Sequence, residues 1–311
     1  MVDYPRTIVE LEERFDSDDA CRQYLFALRW PEGFRCPRCS FDSAWETSRG
    51  LYLCRRCRFQ VSVTAGTIFQ DARKPLTLWF RAIWYVTSQK QGISALGLQR
   101  VLGLGGYETA WTWLHKLRRA MVRPGRDRLS GTVEVDEIYL GGVKLGKRGR
   151  GATGKALVVV AAQEDGNRVG RIRLRRVADA SAASLMPALR ECVEPGSLIR
   201  TDAWQGYAPL ARERYTHIVA RKDSIVGDNL LPMVNRVASL LKRWLAGTHQ
   251  GAVRPSHLDY YLDEYTFRFN RGTSRSPGKL FYRLVQQAVA IKPITGDALR
   301  GDCLKMSDHN I

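Results

Sequence analysis

The spacing of apolar residues changes along the chain and divides it into four regions. Residues 1–70 contain short turns with glycine and serine, and residues 71–125 have apolar positions at helical spacing. Residues 126–290 alternate between strand-like segments, with a period of two, and helix-like segments, with a period of about 3.6. Residues 291–311 have little apolar periodicity. We therefore expect three folded regions followed by a loosely ordered tail.

The second region predicts helices arranged as a helix-turn-helix. Leu76 to Ser88 is aromatic-rich at helical spacing, and a glycine-rich turn at 103–106 separates a short helix (94–102) from a longer one (108–121). The longer helix ends in basic residues, as a DNA-binding helix-turn-helix does. These residues are Lys116, Arg118, Arg119 and Arg123. A plain helical hairpin with basic residues facing solvent would give the same pattern.

The third region predicts an α/β fold. Three strand-like segments come first (GTVEVDEIYLGG, ALVVVAAQE and RVGRIRLRRV), with a turn at Asp165 and Gly166 between the last two. They are followed by a helix (ASAASLMPALRECV), two short strands (SLIRTD and YTHIVA) and a strongly amphipathic helix (LLPMVNRVASLLKRWLAG). A meander of three strands and then alternating helices and strands predicts a mixed sheet flanked by helices.

The charge balance points to a polyanionic partner. Lysine and arginine total 49 against 31 aspartates and glutamates, which gives a net charge of +18 and a pI near 9.9. Such an excess attracts nucleic acid, although some basic proteins bind none. The chain has no run of about 18 apolar residues. Its first residues also lack the apolar core of a secretory signal. We therefore expect no membrane partner and a cytoplasmic, nucleoid-associated protein.

Four of the seven cysteines have the spacing of a zinc ribbon. Two residues separate Cys36 from Cys39 and Cys54 from Cys57, and 14 residues lie between the pairs. Because each pair can reach one ion and the spacer can fold as a hairpin, the pattern predicts a closed, structural Zn²⁺ site with four thiolates. Arginines around the pairs either contact DNA phosphates or form a solvated rim. They are Arg35, Arg38, Arg55, Arg56 and Arg58.

Two aspartates and one helix supply candidate catalytic residues. Asp136 interrupts an apolar strand, where an unpaired carboxylate is costly. Asp202 ends a short strand, at the kind of position where ligands gather in open sheets. Asn235 and Lys242 lie seven residues apart, nearly in line beside the apolar stripe of a helix at about 230–247. Taken separately, these residues also fit an ion pair, a cap or turn, and a solvent-exposed surface.

The motifs also occur together in a known family. VEVDEIYLGG, TDAWQGY, VNRVASLLKRWLAGTHQGAV and HLDYYLDEYTFRFNRG, in this order, resemble the ISXO-like insertion-sequence transposases over roughly residues 15–290. The resemblance implies a zinc ribbon before a DDE-type RNase H-like domain. It further implies that Asp136, Asp202 and Asn235 bind two Mg²⁺ or Mn²⁺ ions and that Lys242 contacts a phosphate. The partners would be transposon-end DNA and target DNA, with a homodimer or higher oligomer in the DNA complex.

One site position departs from the family pattern. The better-known members carry Glu where this chain has Asn235, and an amide oxygen coordinates Mg²⁺ without adding charge, so we expect weaker binding of one ion. Glu137, Asp263 or Glu264 could compensate. Two other interpretations remain: a non-catalytic DNA-binding regulator whose RNase H-like domain has decayed, and an RNase H-like nuclease that cuts branched DNA.

A near-match to a nucleotide-binding loop is rejected. GRGATGKA, at 149–156, resembles a P-loop, but Ala156 stands where the Mg²⁺-binding hydroxyl belongs. Basic residues precede it where a P-loop has an apolar strand. We expect a mobile basic loop at 144–155 that contacts the DNA backbone.

Overall fold

The structure is a computed structural model, and its described residues form two compact units. The described residues are 4–123, 125–141, 155–220, 230–251 and 253–301. One unit combines residues 4–123 with 274–301, and the other comprises the described part of 125–273. The expected basic loop lies outside the described residues except for Lys155, as do residues 302–311 of the expected tail.

The elements agree in type with the periodicity of the sequence. Among the described residues, the helices are α1 (Ile8–Arg14), α2 (Asp18–Arg29), α3 (Leu76–Ser88), α4 (Ala95–Leu102), α5 (Tyr107–Ala120), α6 (Ala182–Cys192), α7 (Pro232–Thr248), α8 (Leu258–Phe269), α9 (Pro277–Ala288) and α10 (Gly296–Gly301). The strands are β1 (Ala44–Glu46), β2 (Leu51–Cys54), β3 (Gln60–Ser62), β4 (Thr132–Leu140), β5 (Ala156–Asp165), β6 (Arg168–Val177), β7 (Leu198–Thr201) and β8 (Thr216–Val219). A 3₁₀ helix spans Gln205–Arg212. All seven strands and helices predicted between 126 and 250 are present as the predicted type, which confirms the α/β fold.

The first unit is a helical cluster that carries a three-stranded ribbon. Its aromatic core joins distant parts of the sequence: Trp79 of α3 stacks on Trp113 of α5 with ring centroids 3.9 Å apart. Phe80 of α3 meets Phe281 of α9 edge to face at 5.6 Å. The helix α9, which lies within residues 126–290 of the sequence, thus packs with the N-terminal helices. Part of the expected tail forms α10, in which Leu299 is buried.

The predicted helix-turn-helix is present as α4 and α5, but its basic end differs from the expectation. Ser94 caps α4 through a hydrogen bond from the Gly97 N–H (3.0 Å), and the helix ends at Gly103 with a left-handed φ of 61°. Arg118 is 2% exposed, and its guanidinium lies 3.3 Å from His115 Nε2. Arg118 therefore faces the core, whereas both interpretations of the basic helix end, a DNA contact and a solvent-exposed hairpin, would leave it accessible.

The second unit contains a five-stranded mixed sheet in the order β6-β5-β4-β7-β8. The strands β4, β5 and β6 form an antiparallel meander, and β7 and β8 run parallel to β4. The edge strand β6 is covered by the Asn270 side chain, which accepts a hydrogen bond from the Ile172 N–H (2.7 Å) and donates one to the Ile172 carbonyl (3.1 Å). This amide satisfies part of an edge that would otherwise be open for pairing.

Helices cover both faces of this sheet. On one face, Ile138, Val158 and Val160 pack with the apolar stripe of α7 and with α8. On the opposite face, Val133, Val135 and Val159 pack with α6 and with the 3₁₀ helix. Alternate residues of each strand point to opposite faces, so even-numbered positions of β4 face α7 and α8. This confirms an RNase H-like mixed sheet flanked by helices.

Candidate active site and zinc centre

Four cysteine sulfurs converge in the ribbon. Cys36 Sγ lies 3.6 Å from Cys57 Sγ, and Cys39 Sγ lies 3.6 Å from Cys54 Sγ. All four sulfurs lie within 4.8 Å of one another. A tetrahedral site with Zn–S bonds of about 2.3 Å would place its sulfurs about 3.8 Å apart. The cluster therefore fits one Zn²⁺ ion, and four thiolates would close its coordination sphere.

The two cysteine pairs adopt the same backbone turn. Ser40 and Arg58 each follow the second cysteine of a pair, and each has a left-handed φ of 59°. Their N–H groups donate to the carbonyls of Cys36 (2.8 Å) and Cys54 (3.1 Å). Burial opposes ionisation of Cys54, but N–H groups of its own turn donate to its sulfur and lower the pKa of that thiol. Such a turn presents a thiolate, which is the form that binds zinc.

An exposed aromatic residue with two stacked arginines lies beside the zinc site. The β1–β2 register pairs Trp45 with Leu53 on one face of the ribbon, whereas Tyr52 on the other face packs against Trp30. Trp45 is 45% exposed. The guanidinium carbons of Arg55 and Arg58 lie 5.1 and 5.2 Å from its ring centroid. We call Trp45, Arg55 and Arg58 the ribbon stack, and it holds two cations on one exposed surface.

Asp136 lies within β4, and Asp202 directly follows the neighbouring parallel strand β7. The strands β4 and β7 pair Thr132 with Leu198 and Glu134 with Arg200. Continuing that register by two residues places Asp202, just beyond the end of β7, beside Asp136. Both side chains are partly buried. One oxygen of each carboxylate accepts a hydrogen bond, from the Glu137 N–H (2.8 Å) and from the Trp204 N–H (3.0 Å) respectively.

The pKa of the buried Tyr207 is affected by the charges of both aspartates. The Tyr207 hydroxyl donates a hydrogen bond to Glu137 Oε2 (2.8 Å) on the sheet face opposite to Asp136. Burial raises the pKa of Tyr207 far above its ordinary value, and the negative charges of Glu137, Asp136 and Asp202 raise it further. Three acidic groups therefore oppose ionisation of this one phenol. Tyr207 was not among the sequence candidates, because a tyrosine in an apolar run is a core residue by default.

Two further residues support the chain at Asp202. The Thr201 hydroxyl donates a hydrogen bond to the Asp202 carbonyl (2.8 Å) and lies 2.9 Å from His217 Nε2. Since a hydroxyl has one proton, Nε2 must be the donor to Thr201. Burial lowers the pKa of His217, which favours this neutral ring. His217 thus holds the end of β7 and is not placed as a metal ligand.

Asn235 and Lys242 lie on α7, which packs on the same sheet face as Asp136. Both are exposed. They flank a buried stripe made of Val234, Val237, Ala238, Leu241 and Leu245. The start of α7 is tied to β4, because Glu134 Oε2 accepts hydrogen bonds from the Met233 N–H (2.7 Å) and the Val234 N–H (3.1 Å). Glu134 lies two residues before Asp136 and therefore on the same face of β4. No sequence pattern singled it out.

The acidic residues that could compensate for Asn235 have other partners. Glu264 is 1% exposed and accepts hydrogen bonds from Arg268 Nε (2.8 Å) and a terminal nitrogen of that guanidinium (2.7 Å). Glu137 accepts from Tyr207 on the opposite face of the sheet. Burial raises the pKa of Asp263 to about 7, which reduces its charge near neutral pH. The candidate site therefore rests on two carboxylates and the amide.

The two candidate centres differ in how many metal-binding side chains they bring together. Among the described residues, the four cysteines are the group in which three or more His, Cys, Asp or Glu side chains could share one ion. Asp136 and Asp202 alone do not form such a group, so an ion there would need Asn235, water or phosphate as further ligands. Carboxylate and amide oxygens are the donor set that suits Mg²⁺ and Mn²⁺. Within the described part of the chain, no helix is long and apolar enough to span a membrane.

The chain thus combines a four-cysteine ribbon with an α/β domain that carries one aspartate within β4 and another just after β7. Comparison with known proteins identifies this combination. Residues 128–270 match the ISXO2-like transposase domain, and residues 16–60 match the transposase zinc-ribbon domain. The chain belongs to the ISXO2-like insertion-sequence transposases.

Individual relatives extend the comparison. An uncharacterised protein of the transposable element ISH50 from Halobacterium salinarum is 28% identical over 289 residues, which cover 85% of this chain and 94% of that protein. A chain of the simian T-cell lymphotropic virus intasome in complex with PP2A regulatory subunit B56 gamma matches 64% of this chain and 74% of its own. That match has 13% identity and a TM-score of 0.31.

Proposed function

We propose that this transposase cleaves the ends of its element and joins them to target DNA at Asp136, Asp202 and Asn235, with Mg²⁺ or Mn²⁺ as cofactor. The observation that carries the proposal is the parallel register of β4 and β7, which, continued two residues past its last pair, would set Asp202 beside Asp136. Neighbouring strands lie about 4.8 Å apart, so both carboxylates can serve a pair of ions about 4 Å apart. The family of the sheet domain supports the same chemistry.

The roles of the residues follow from their positions. Divalent ions would activate a water or a 3′-hydroxyl and stabilise the leaving oxygen. Asp136, inside the strand, would contribute to both ions, while Asp202 and Asn235 would each hold one. The hydrogen bonds from the Glu137 and Trp204 N–H groups keep the two carboxylates in fixed orientations. This preorganisation reduces the reorganisation that the reaction requires.

Lys242 would hold DNA at a distance from the reacting bond. It lies seven residues beyond Asn235 on the same flank of α7, and seven residues span about 10.5 Å of helix. A lysine at that separation reaches a phosphate beside the scissile one. Its ammonium group would thus orient the strand, while the carboxylates act on the scissile phosphodiester.

The ribbon stack is proposed as a contact to the DNA backbone. An arginine stacked on an indole keeps its in-plane N–H groups available, so the ring orders the guanidinium without occupying its donors. The two stacked cations of Arg55 and Arg58 therefore suit neighbouring phosphates. Because a transposase must bring two ends together, we propose at least a homodimer in the DNA complex.

The decisive experiment compares Asp136→Ala with a matched acidic control. Full-length protein is mixed with duplex DNA that carries the end of its own element, with Mg²⁺ or with EDTA. Native protein should join the end to target DNA only with the metal. D136A should lose strand transfer by about 1,000-fold or more while its affinity for the end stays within about threefold, because its charge acts on the reaction rather than on docking.

The control is Asp165→Ala, which removes an exposed carboxylate from the end of β5 in the same sheet. It should transfer strands at the native rate. Strand transfer by D136A would remove Asp136 from the site. Native protein that binds the end but never cuts it would support the regulator, and cutting of branched DNA without joining would support the nuclease.

A further inference from the structure

The first turn of α7 has no cap of its own. An α-helix begins with N–H groups that lack acceptors within the helix, and a Ser, Thr, Asp or Asn at the N-cap normally accepts one of them. Here the N-cap is Leu231, which has no side-chain acceptor, and the next residue is Pro232, which has no N–H. The Asn235 N–H bonds to the Leu231 carbonyl (3.0 Å). The N–H groups of Met233 and Val234 therefore need acceptors from elsewhere.

One carboxylate oxygen of Glu134, on the sheet, accepts both of these hydrogen bonds. Its Oε2 accepts from the Met233 N–H at 2.7 Å and from the Val234 N–H at 3.1 Å. The Glu134 side chain is fully buried, and its negative charge faces the positive end of the helix dipole. Glu134, a strand residue, thus replaces the N-cap side chain of α7, a helix about 100 residues later in the chain.

The second oxygen of Glu134 sits in a charged cluster. Oε1 has no hydrogen-bond donor among the described residues. It lies 3.7 Å from a terminal nitrogen of Arg200, whose closer contact, at 2.6 Å, is Glu164 Oε1. Arg200 is the β7 residue paired with Glu134 and lies two residues before Asp202. Glu134 therefore touches α7 directly and faces the strand that leads to Asp202.

We propose that Glu134 is a positioning residue that sets the height and rotation of α7 over β4, so that Asn235 is held toward Asp136 and Asp202. The inference rests on the proposed function. The two bonds fix the N–H groups of consecutive residues, Met233 and Val234, and thereby fix the phase of the helix. Asn235 is the next residue, and a neutral amide must be well placed because it cannot draw in an ion by charge.

The test uses three variants of the full-length protein. Glu134→Gln keeps an acceptor oxygen but removes the charge, and Glu134→Ala removes both. The matched control is Asn270→Ala, which also removes two hydrogen bonds to backbone groups of the same unit but acts on strand β6, away from α7. If E134A fails to fold, E134Q decides the outcome.

The first measurement is amide hydrogen exchange on metal-free protein. E134Q should reduce the protection of the Met233 and Val234 amides about 3- to 10-fold, and E134A about 10- to 100-fold, because charge-assisted bonds are lost. N270A should leave these two amides unchanged and expose Ile172 instead. Unchanged protection of Met233 and Val234 in E134A would overturn the proposal.

The second measurement is strand transfer as a function of Mg²⁺ concentration. E134Q should raise the Mg²⁺ concentration needed for half-maximal rate about fivefold or more, while its affinity for end DNA stays native. N270A should lower the unfolding temperature without moving the Mg²⁺ requirement. An equal shift in E134Q and N270A, or none in E134Q, would reduce Glu134 to a stabilising residue and overturn its positioning role. If native protein transfers no strands, the proposed function fails, and the exchange data alone then decide whether Glu134 holds α7.

Discussion

Replacing Gly206 with alanine should disturb the loop that carries Asp202. Gly206 is buried in the TDAWQGY motif, and a Cβ there would lie 2.5 Å from the Ala180 carbonyl oxygen and 2.7 Å from Trp204 Nε1. Those two atoms are joined by a 2.7 Å hydrogen bond. The Cβ would also lie 2.8 Å from Leu185 Cδ1. The methyl group would thus clash with both atoms of the hydrogen bond between Trp204 and the Ala180 carbonyl. Because one of these atoms belongs to the backbone, it cannot move away as easily as the end of a flexible side chain.

The change in unfolding free energy of G206A is the sum of three contributions. Breaking a buried hydrogen bond costs about 1–3 kcal/mol, and overpacking costs about another 1–3 kcal/mol. The lower chain entropy of alanine in the unfolded state returns about 0.4–1 kcal/mol. We expect G206A to lose about 1–6 kcal/mol of unfolding free energy, or about 3–18 °C in Tm for a unit of this size. Strand transfer should fall as well, because the Trp204 N–H orients Asp202.

Thermal unfolding followed by circular dichroism measures the effect, and Gly247→Ala provides the matched control. Gly247 lies in α7, and a Cβ there meets no heavy atom of the described residues within 4 Å. The same substitution should therefore stabilise that helix by up to about 1 kcal/mol. Opposite signs for the two variants are the expected result. A G206A protein as stable as the native one would refute the packing argument.

Two further predictions concern the zinc ribbon. Purified protein should contain about one zinc per chain by elemental analysis. Cys54→Ser should lose most of this zinc, whereas Cys21→Ala should keep it because Cys21 lies outside the four-sulfur cluster. Equal zinc content in the two variants would contradict the site. Trp45→Ala should weaken binding of end DNA about 3- to 10-fold by releasing Arg55 and Arg58, and removal of both arginines should reduce the salt slope of log K by about 1–2. Arg49→Ala, which removes a ribbon charge outside the stack, should weaken binding of end DNA less than W45A does. A larger loss of affinity in R49A would indicate that net charge, and not the ribbon stack, determines binding.

The periodicity of the sequence predicted most of the sheet domain. Val158 to Ala162 form a continuous apolar run, which suits a central strand covered on both faces, and β5 is that strand. The spacing of Cys36, Cys39, Cys54 and Cys57 predicted that their sulfurs converge, because two cysteines separated by two residues can both reach one ion. These signals are local, so the sequence contains them directly. The catalytic roles of Asp136, Asp202, Asn235 and Lys242 stay predictions.

The features that the sequence did not reveal depend on long-range packing. The apolar face of α9 predicts a helix, but nothing local shows that it packs with α3. Arg118 is basic and looks solvent-exposed in a helical pattern, yet its neighbours enclose it. In the sequence, Glu134 is one polar residue on a predicted strand. Its hydrogen bonds to the start of α7 can be recognised only from the folded structure. Acceptors and donors that are far apart in sequence leave no periodic signal.

The bond between Glu134 and Val234 also bears on how the molecule reaches its native state. These residues are separated by 100 positions, so loop closure must bring them together before the contact can form. Contacts of such large sequence separation slow folding. Translation therefore releases β4 and its aspartate long before α7 exists, and a nascent or truncated chain that ends before residue 232 lacks the last element of the proposed site. The proposed site is therefore complete only once synthesis has passed that helix.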